Sequence, residues 1–153
     1  MVNVYFFDTP IGKLYISDDG ERITGISTDD ISMSVNPAFK KTDLIGKAIE
    51  QLDEYFKGVR KDFTIPLQME GTDFQKKVWD ALLEIPYGET RSYGQIAKMI
   101  NDPKACRAVG NACNRNPIMI VIPCHRVIGA DSSLTGYAGG LKVKEKLLIL
   151  EKG

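Results

Sequence analysis

The chain has 153 residues, enough for one good-sized domain or two small ones, and its 43% hydrophobic and 26% charged residues are the balance of a soluble globular protein. That balance excludes disorder, collagen-like repeats and membrane spans: the longest aliphatic run, Ile118 to Ile122, is far too short for a bilayer, and Met1 to Gly12 lacks the basic start and apolar run of a leader, so a cytoplasmic location is expected. The net charge of zero hides an asymmetry, because residues 1–66 carry 8 Lys/Arg against 11 Asp/Glu and residues 67–153 carry 12 against 9. No acid lies between Asp102 and Asp131, whereas Lys104, Arg107, Arg115 and Arg126 do, so one local surface could attract phosphates. Three cysteines without a close pair speak for free thiols and against a disulfide framework.

Short alternating runs, Val4-Tyr5-Phe6-Phe7, Lys13-Leu14-Tyr15-Ile16 and Ile23-Thr24-Gly25-Ile26, are separated by turn residues and predict a small antiparallel sheet. Leu44, Ile45, Ala48, Ile49, Leu52, Tyr55 and Phe56 recur at helical spacing over residues 43–56, and Gly58 stops the run. A strand through Phe63 and Ile65 is expected next. Pro66 to Gly71 marks the expected domain boundary, dividing an α/β domain over 1–66 from a mainly helical one over 72–153.

Thr72-x-x-Gln75 and Ser92-x-x-Gln95 have capping-box spacing, each opening a helix, the first ending near Pro86 and Gly88. Asn101-Asp102-Pro103 offers an N-cap with proline at the first position of a third helix, from about Lys104 to Asn114. The last two form a helix-turn-helix pattern, and the second carries Arg107 among Ala105, Ala108, Gly110 and Ala112, small residues that permit close approach. Two packed core helices would look the same.

Ile118 to Ile122 predicts a buried strand leading into Pro123-Cys124-His125-Arg126-Val127, which holds the only histidine. A nucleophilic cysteine needs a base or a nearby positive charge, because a free thiol with pKa about 8.5 is mostly protonated near neutrality, and His125 and Arg126 could supply these. Zinc ligation by Cys106, Cys113, Cys124 and His125 fails on geometry, since Cys106 and Cys113 would lie roughly 10.5 Å apart along one helix. Those two thiols are expected inside. A papain-like hydrolase would bring its histidine from a distant part of the chain. Gly129 to Gly136 reads as a polar loop and lacks a Walker pattern; a final helix over 141–151 has Val143, Leu147 and Leu150 as its apolar face, with Glu151 at a solvated end.

Ile85-Pro86-Tyr87-Gly88, Ser92-Tyr93-Gly94, Arg107-Ala108-Val109-Gly110, Asn116-Pro117, Ile122 to Ile128 and Gly136-Tyr137-Ala138-Gly139-Gly140-Leu141 together resemble, in order and spacing, the O6-alkylguanine DNA alkyltransferases, also called methylated-DNA protein-cysteine methyltransferases. The match covers most of residues 72–153; residues 1–66 match in outline. The resemblance implies a ribonuclease-H-like N-terminal domain and a winged helix-turn-helix domain that carries the chemistry. It implies single, irreversible transfer of an alkyl group from guanine O6 in double-stranded DNA to Cys124, with His125 as general base through a water and Glu151 orienting it. Tyr93 would donate a proton toward the leaving base and Asn116 would tie the helix-turn-helix to the active-site segment. Arg107 would take the place of the flipped nucleotide from the minor groove, with Ala108, Gly110, Tyr93, Lys104 and Arg115 also against DNA. Pro123, Val127, Tyr137 and Ala138 would line the guanine pocket.

No cofactor and no metal are expected: some relatives carry zinc ligands near the N-terminus, but residues 1–66 contain neither Cys nor His. Asn111, Cys113 and Asn114 make the recognition helix bulkier on one side than the smallest-residue versions in the family. A monomer is expected. The rival is a non-catalytic winged-helix module that binds DNA or lesions; a related subfamily has tryptophan where this chain has Cys124. The alkyltransferase reading requires a thiol that is ionisable and exposed to an everted base; a sulfur sealed away from the imidazole and from any opening would sink it.

Overall fold

The structure is a computed structural model and describes residues 2–31, 38–131, 133, 134, 137 and 140–152. The chain divides into two compact units, Met1–Met69 and Glu70–Gly153. Among the described residues no helix is long and apolar enough to cross a membrane.

In the first unit the alternating runs form β1 (Asn3–Thr9), β2 (Gly12–Asp18) and β3 (Ile23–Ser27), consecutive antiparallel neighbours. The sheet is mixed, because β4 (Ala38–Phe39) pairs parallel to β1 and the strand order is β3-β2-β1-β4. A two-residue strand shows no alternation, so the sequence pattern could not reveal it. Helix α1 (Asp43–Phe56) packs on β1 and β2 through Ile45, Ala48, Leu52 and Tyr55. Its start is set by Thr42, whose Oγ1 accepts from the Ile45 amide and donates to Asp18 Oδ2 at 2.5 Å, giving the wholly buried Asp18 a partner.

The strand expected through Phe63 and Ile65 does not form. The Gln51 side chain occupies the backbone there, accepting from Thr64 N at 3.0 Å and donating to Thr64 Oγ1 at 2.7 Å. Sheet-like pairing is confined to an isolated bridge between Ile23 and Leu67.

In the second unit both capping boxes are present, starting α2 (Asp73–Leu82) at Thr72 and α3 (Tyr93–Met99) at Ser92. Helix α4 (Cys106–Asn114) starts later than expected and has no side-chain cap. Asn101 takes the left-handed conformation (φ 61°) and Ala105 N bonds Asp102 O, so residues 101–105 form a turn instead of a capped first turn. Helices α2, α3 and α4 pack on one another, and Trp79 of α2 donates its indole N–H to the Ala112 carbonyl of α4 at 2.9 Å. A two-stranded parallel ladder pairs β5 (Arg91–Ser92) with β6 (Val127–Ile128), and α5 (Leu141–Lys152) closes the unit.

Ile118 to Ile122 is buried but is not a strand; it is a run of turns. An uninterrupted apolar run reports burial and is silent on backbone shape. Asn116 supplies the missing partners, with Oδ1 accepting from Ile118 N at 2.9 Å and Nδ2 donating to Ile122 O at 2.7 Å. Ile120 sits at φ 71°, costly for a β-branched residue and sustained by the surrounding packing.

Candidate active site

The turn over residues 118–122 delivers the chain into a single 3-10 turn, Cys124–Arg126, all three residues of which are buried. Asn116 Nδ2 reaches the Cys124 Sγ at 3.2 Å as well as the Ile122 carbonyl, so one amide shapes the turn and donates to the sulfur. From the other side α5 presents Lys144, Leu147 and Glu151 as its buried face, where Val143, Leu147 and Leu150 were expected. Glu151 is 5% exposed and is no frayed end.

The Glu151 carboxylate gathers four donors. His125 Nε2 meets Oε2 at 2.5 Å, Arg126 Nε donates to Oε1 at 2.7 Å and Arg126 Nη2 to Oε2 at 3.1 Å, while the Gly88 amide approaches Oε1 at 3.4 Å. Gly88 reaches this place because it adopts φ 81° with its α-carbon close against the Glu151 backbone; a Cβ there would lie 3.2 Å from Glu151 O. Arg126 spends its third nitrogen, Nη1, on the Ile85 carbonyl at 2.7 Å. His125 Nδ1 is buried and bonds no described residue.

Burial dominates the ionisation of the site. It pushes the Cys124 thiol up to about 11, against the opposing effects of the Asn116 hydrogen bond and the Lys144 charge. The neighbouring Cys113 thiol is pushed up to about 12 by burial and by the Cys124 charge. Burial lowers the His125 imidazole more than the Glu151 hydrogen bond and charge raise it, with Arg126 and Lys144 pushing the same way as burial. His125 therefore rests neutral near pH 7.

Two family descriptions match the chain: "6-O-methylguanine DNA methyltransferase, ribonuclease-like domain" over residues 3–69, and "6-O-methylguanine DNA methyltransferase, DNA binding domain" over residues 73–153. The chain belongs to the 6-O-methylguanine DNA methyltransferase family. A methylated-DNA–protein-cysteine methyltransferase of Methanosarcina acetivorans is 50% identical over 148 residues, covering 95% of each chain. The Mycobacterium tuberculosis O6-methylguanine methyltransferase crystal structure superposes with TM-score 0.93 at 46% identity, covering 99% of this chain and 93% of that one. A complex of M. tuberculosis OGT with DNA gives TM-score 0.93 at 46% identity, covering 98% and 92%.

Within this member of the methyltransferase family, Cys124, His125, Asn116 and Glu151 come together in one buried cluster. Pro123 and Val127 are buried at either end of the 3-10 turn. Tyr137 is half-buried, its hydroxyl sealed without a partner among the described residues, and burial above all raises its phenol, with Cys124 and Glu151 pushing the same way. Ala138 lies outside the described residues. Lys104 before α4, Arg107 and Ala108 on it and Arg115 just after it are exposed, and Tyr93 lies beside Gly110, where an added Cβ would stand 3.8 Å from the ring.

Three expectations need correction. The Cys124 thiol is not exposed as expected: the residue is 3% exposed and burial pushes the thiol up to about 11, because the turn places it inward beside Asn116, although it stays next to His125 in the same turn. Arg126 gives its charge to Glu151 and not to the thiol or to an outer phosphate-attracting surface, which leaves Lys104, Arg107 and Arg115 there. Cys106 is exposed, whereas Cys113 is buried.

Sequence reasoning also missed Lys144. It is wholly buried, donates Nζ to the Val127 carbonyl at 2.5 Å and interacts electrostatically with both Cys124 and Cys113. The signal was its place three residues before Leu147 and seven before Glu151, on one face of α5.

Proposed function

We propose that this protein repairs double-stranded DNA by moving an alkyl group, above all methyl, from guanine O6 onto Cys124, once per molecule. The observation that carries the reading is the buried Glu151–His125 pair next to Cys124, with the second imidazole nitrogen unclaimed by any described residue. Membership in the methyltransferase family supplies the reaction class.

The proton leaves Cys124 for His125 Nδ1 through a water, and Glu151 stabilises the imidazolium that results. The sulfur attacks the alkyl carbon in line; a carbon–sulfur bond forms, the carbon–O6 bond breaks, and its electron pair stays on guanine, which takes a proton from Tyr93. Asn116 Nδ2 and the Lys144 ammonium meet the charge that grows on sulfur. A thiol with a resting pKa of about 11 thus becomes a nucleophile only as its proton departs. The thioether has no route back. Pro123, Val127 and Tyr137 line the pocket, where an arriving base offers the sealed Tyr137 hydroxyl a partner.

A base inside a duplex must be rotated out of the stack at a cost of a few kcal/mol. Arg107, exposed on α4, fills the gap from the minor groove, with Ala108 and Gly110 allowing the helix close and Lys104 and Arg115 on phosphates. The protein acts as a monomer in the cytoplasm.

Mixing the protein with duplex DNA that carries one O6-methylguanine will add one methyl mass to the chain, on the Cys124 peptide, and never two. Retained binding with unmodified Cys124 would instead identify a non-catalytic lesion-binding module. Arg107→Ala will slow transfer from duplex DNA at least several-fold more than transfer from free O6-alkylguanine; equal losses on both substrates would remove Arg107 from the flipping step.

A further inference from the structure

We propose that Arg126 is a positioning residue for the transfer reaction: its guanidinium fork on Glu151 fixes His125 as the neutral Nε2–H tautomer and so keeps Nδ1 free to take a proton. The inference rests on the function proposed above and adds a residue that neither touches the sulfur nor reaches DNA.

A buried carboxylate facing a lone imidazole has two possible outcomes. It can draw a proton onto the ring and hold an imidazolium, which is useless as a base, or it can accept from a neutral ring. The groups around His125 decide between them. Glu151 and Lys144 face it from α5, Cys124 and Arg126 flank it in the 3-10 turn, and the Tyr87 and Tyr137 phenols lie in the field of Glu151. Glu151 is the one carboxylate among them.

Arg126 occupies both oxygens of that anion, at 2.7 and 3.1 Å, and is itself anchored on the Ile85 carbonyl at 2.7 Å and lies 5.7 Å from the centre of the Tyr87 ring. Its guanidinium already balances the carboxylate charge, so while the Cys124 thiol keeps its proton a second cation on the ring would meet Arg126 and Lys144 with no uncompensated anion beside it. The paired carboxylate remains an acceptor, and an acceptor at Oε2 requires the proton on Nε2. Nδ1 then carries the lone pair, and it is the ring atom that bonds no described residue.

With one histidine in the chain, isotope-labelled histidine yields a single imidazole spectrum with no assignment step. In the wild-type protein at neutral pH, ring nitrogen shifts will show the Nε2–H tautomer with Nδ1 unprotonated. An imidazolium or the Nδ1–H tautomer overturns the proposal without any variant. Arg126→Gln will raise the imidazole titration midpoint by about one pH unit or more, and Arg126→Lys, which keeps the charge, will restore a midpoint nearer the native one. The transfer rate of Arg126→Gln will fall on the acid side and recover toward alkaline pH. An unmoved midpoint, or the same fractional rate loss at every pH, would reduce Arg126 to a structural ion pair. Should Arg126→Gln not fold, the wild-type tautomer and the Arg126→Lys midpoint decide. Because the spectra need no substrate, a protein that fails to transfer methyl can still pass or fail this test.

Discussion

Cys124→Ala will lower alkyl transfer to background while leaving the fold intact and lesion-bearing DNA still bound. The chemistry ends because no other described group can replace the sulfur: Cys113 is buried and pushed up to about 12, and Cys106 is exposed on α4, outside the hydrogen-bonded cluster. The fold survives because the sulfur accepts a single hydrogen bond, from Asn116 Nδ2, and that nitrogen keeps its 2.7 Å bond to Ile122 O. Losing one buried sulfur costs about 1 kcal/mol. Mass analysis after exposure to O6-methylguanine duplex, thermal melting and a binding isotherm test the three parts separately. Residual single-methyl addition to the alanine variant would show that Cys124 is not the acceptor.

Asn116→Ala has the opposite character and will damage stability first. Its side chain bonds the Ile118 amide, the Ile122 carbonyl and the Cys124 sulfur, all buried. Truncation strands the two backbone groups at about 1–3 kcal/mol each, in a turn that already holds Ile120 at positive φ. A loss of roughly 3 kcal/mol corresponds to a Tm fall of about 10 °C or more for a unit of this size. Transfer measured well below the melting range will also slow, by at least about tenfold, because the developing thiolate loses its donor. A variant that melts within a few degrees of wild type would mean that the turn is held by packing alone.

How much of this could be read from the sequence depended on whether the signal was local. Thr72-x-x-Gln75 and Ser92-x-x-Gln95 each close a hydrogen-bonded box within four residues, and both helices start where the spacing predicts. Helix α1 follows its apolar stripe from Asp43 to Phe56. The cysteine and histidine of the candidate site are adjacent in the chain, so their residue types are visible together.

What escaped depends on groups far apart in sequence. The helical pattern alone makes Glu151 a solvated end, and only the resemblance ties it to His125; packing brings it against His125 and Arg126, some 25 residues earlier. Lys144 looked like one more surface lysine, and the carbonyl that holds it lies 17 residues away. Ile118 to Ile122 read as a strand because apolar residues report only that they are inside. The partner that bends them, Asn116, is a single polar residue outside the run. Gln51 does the same to the segment around Thr64, where its two bonds take the place of a ladder.

Concealment of the reactive atom has a consequence for a molecule that acts once. Stray electrophiles dissolved in the cell favour a sulfur that is both accessible and already anionic, and Cys124 at rest is neither. The outward-facing Cys106 meets such reagents first. In the proposed reaction, selectivity comes from withholding the anion until the correct lesion is docked, so that each molecule is saved for damaged DNA.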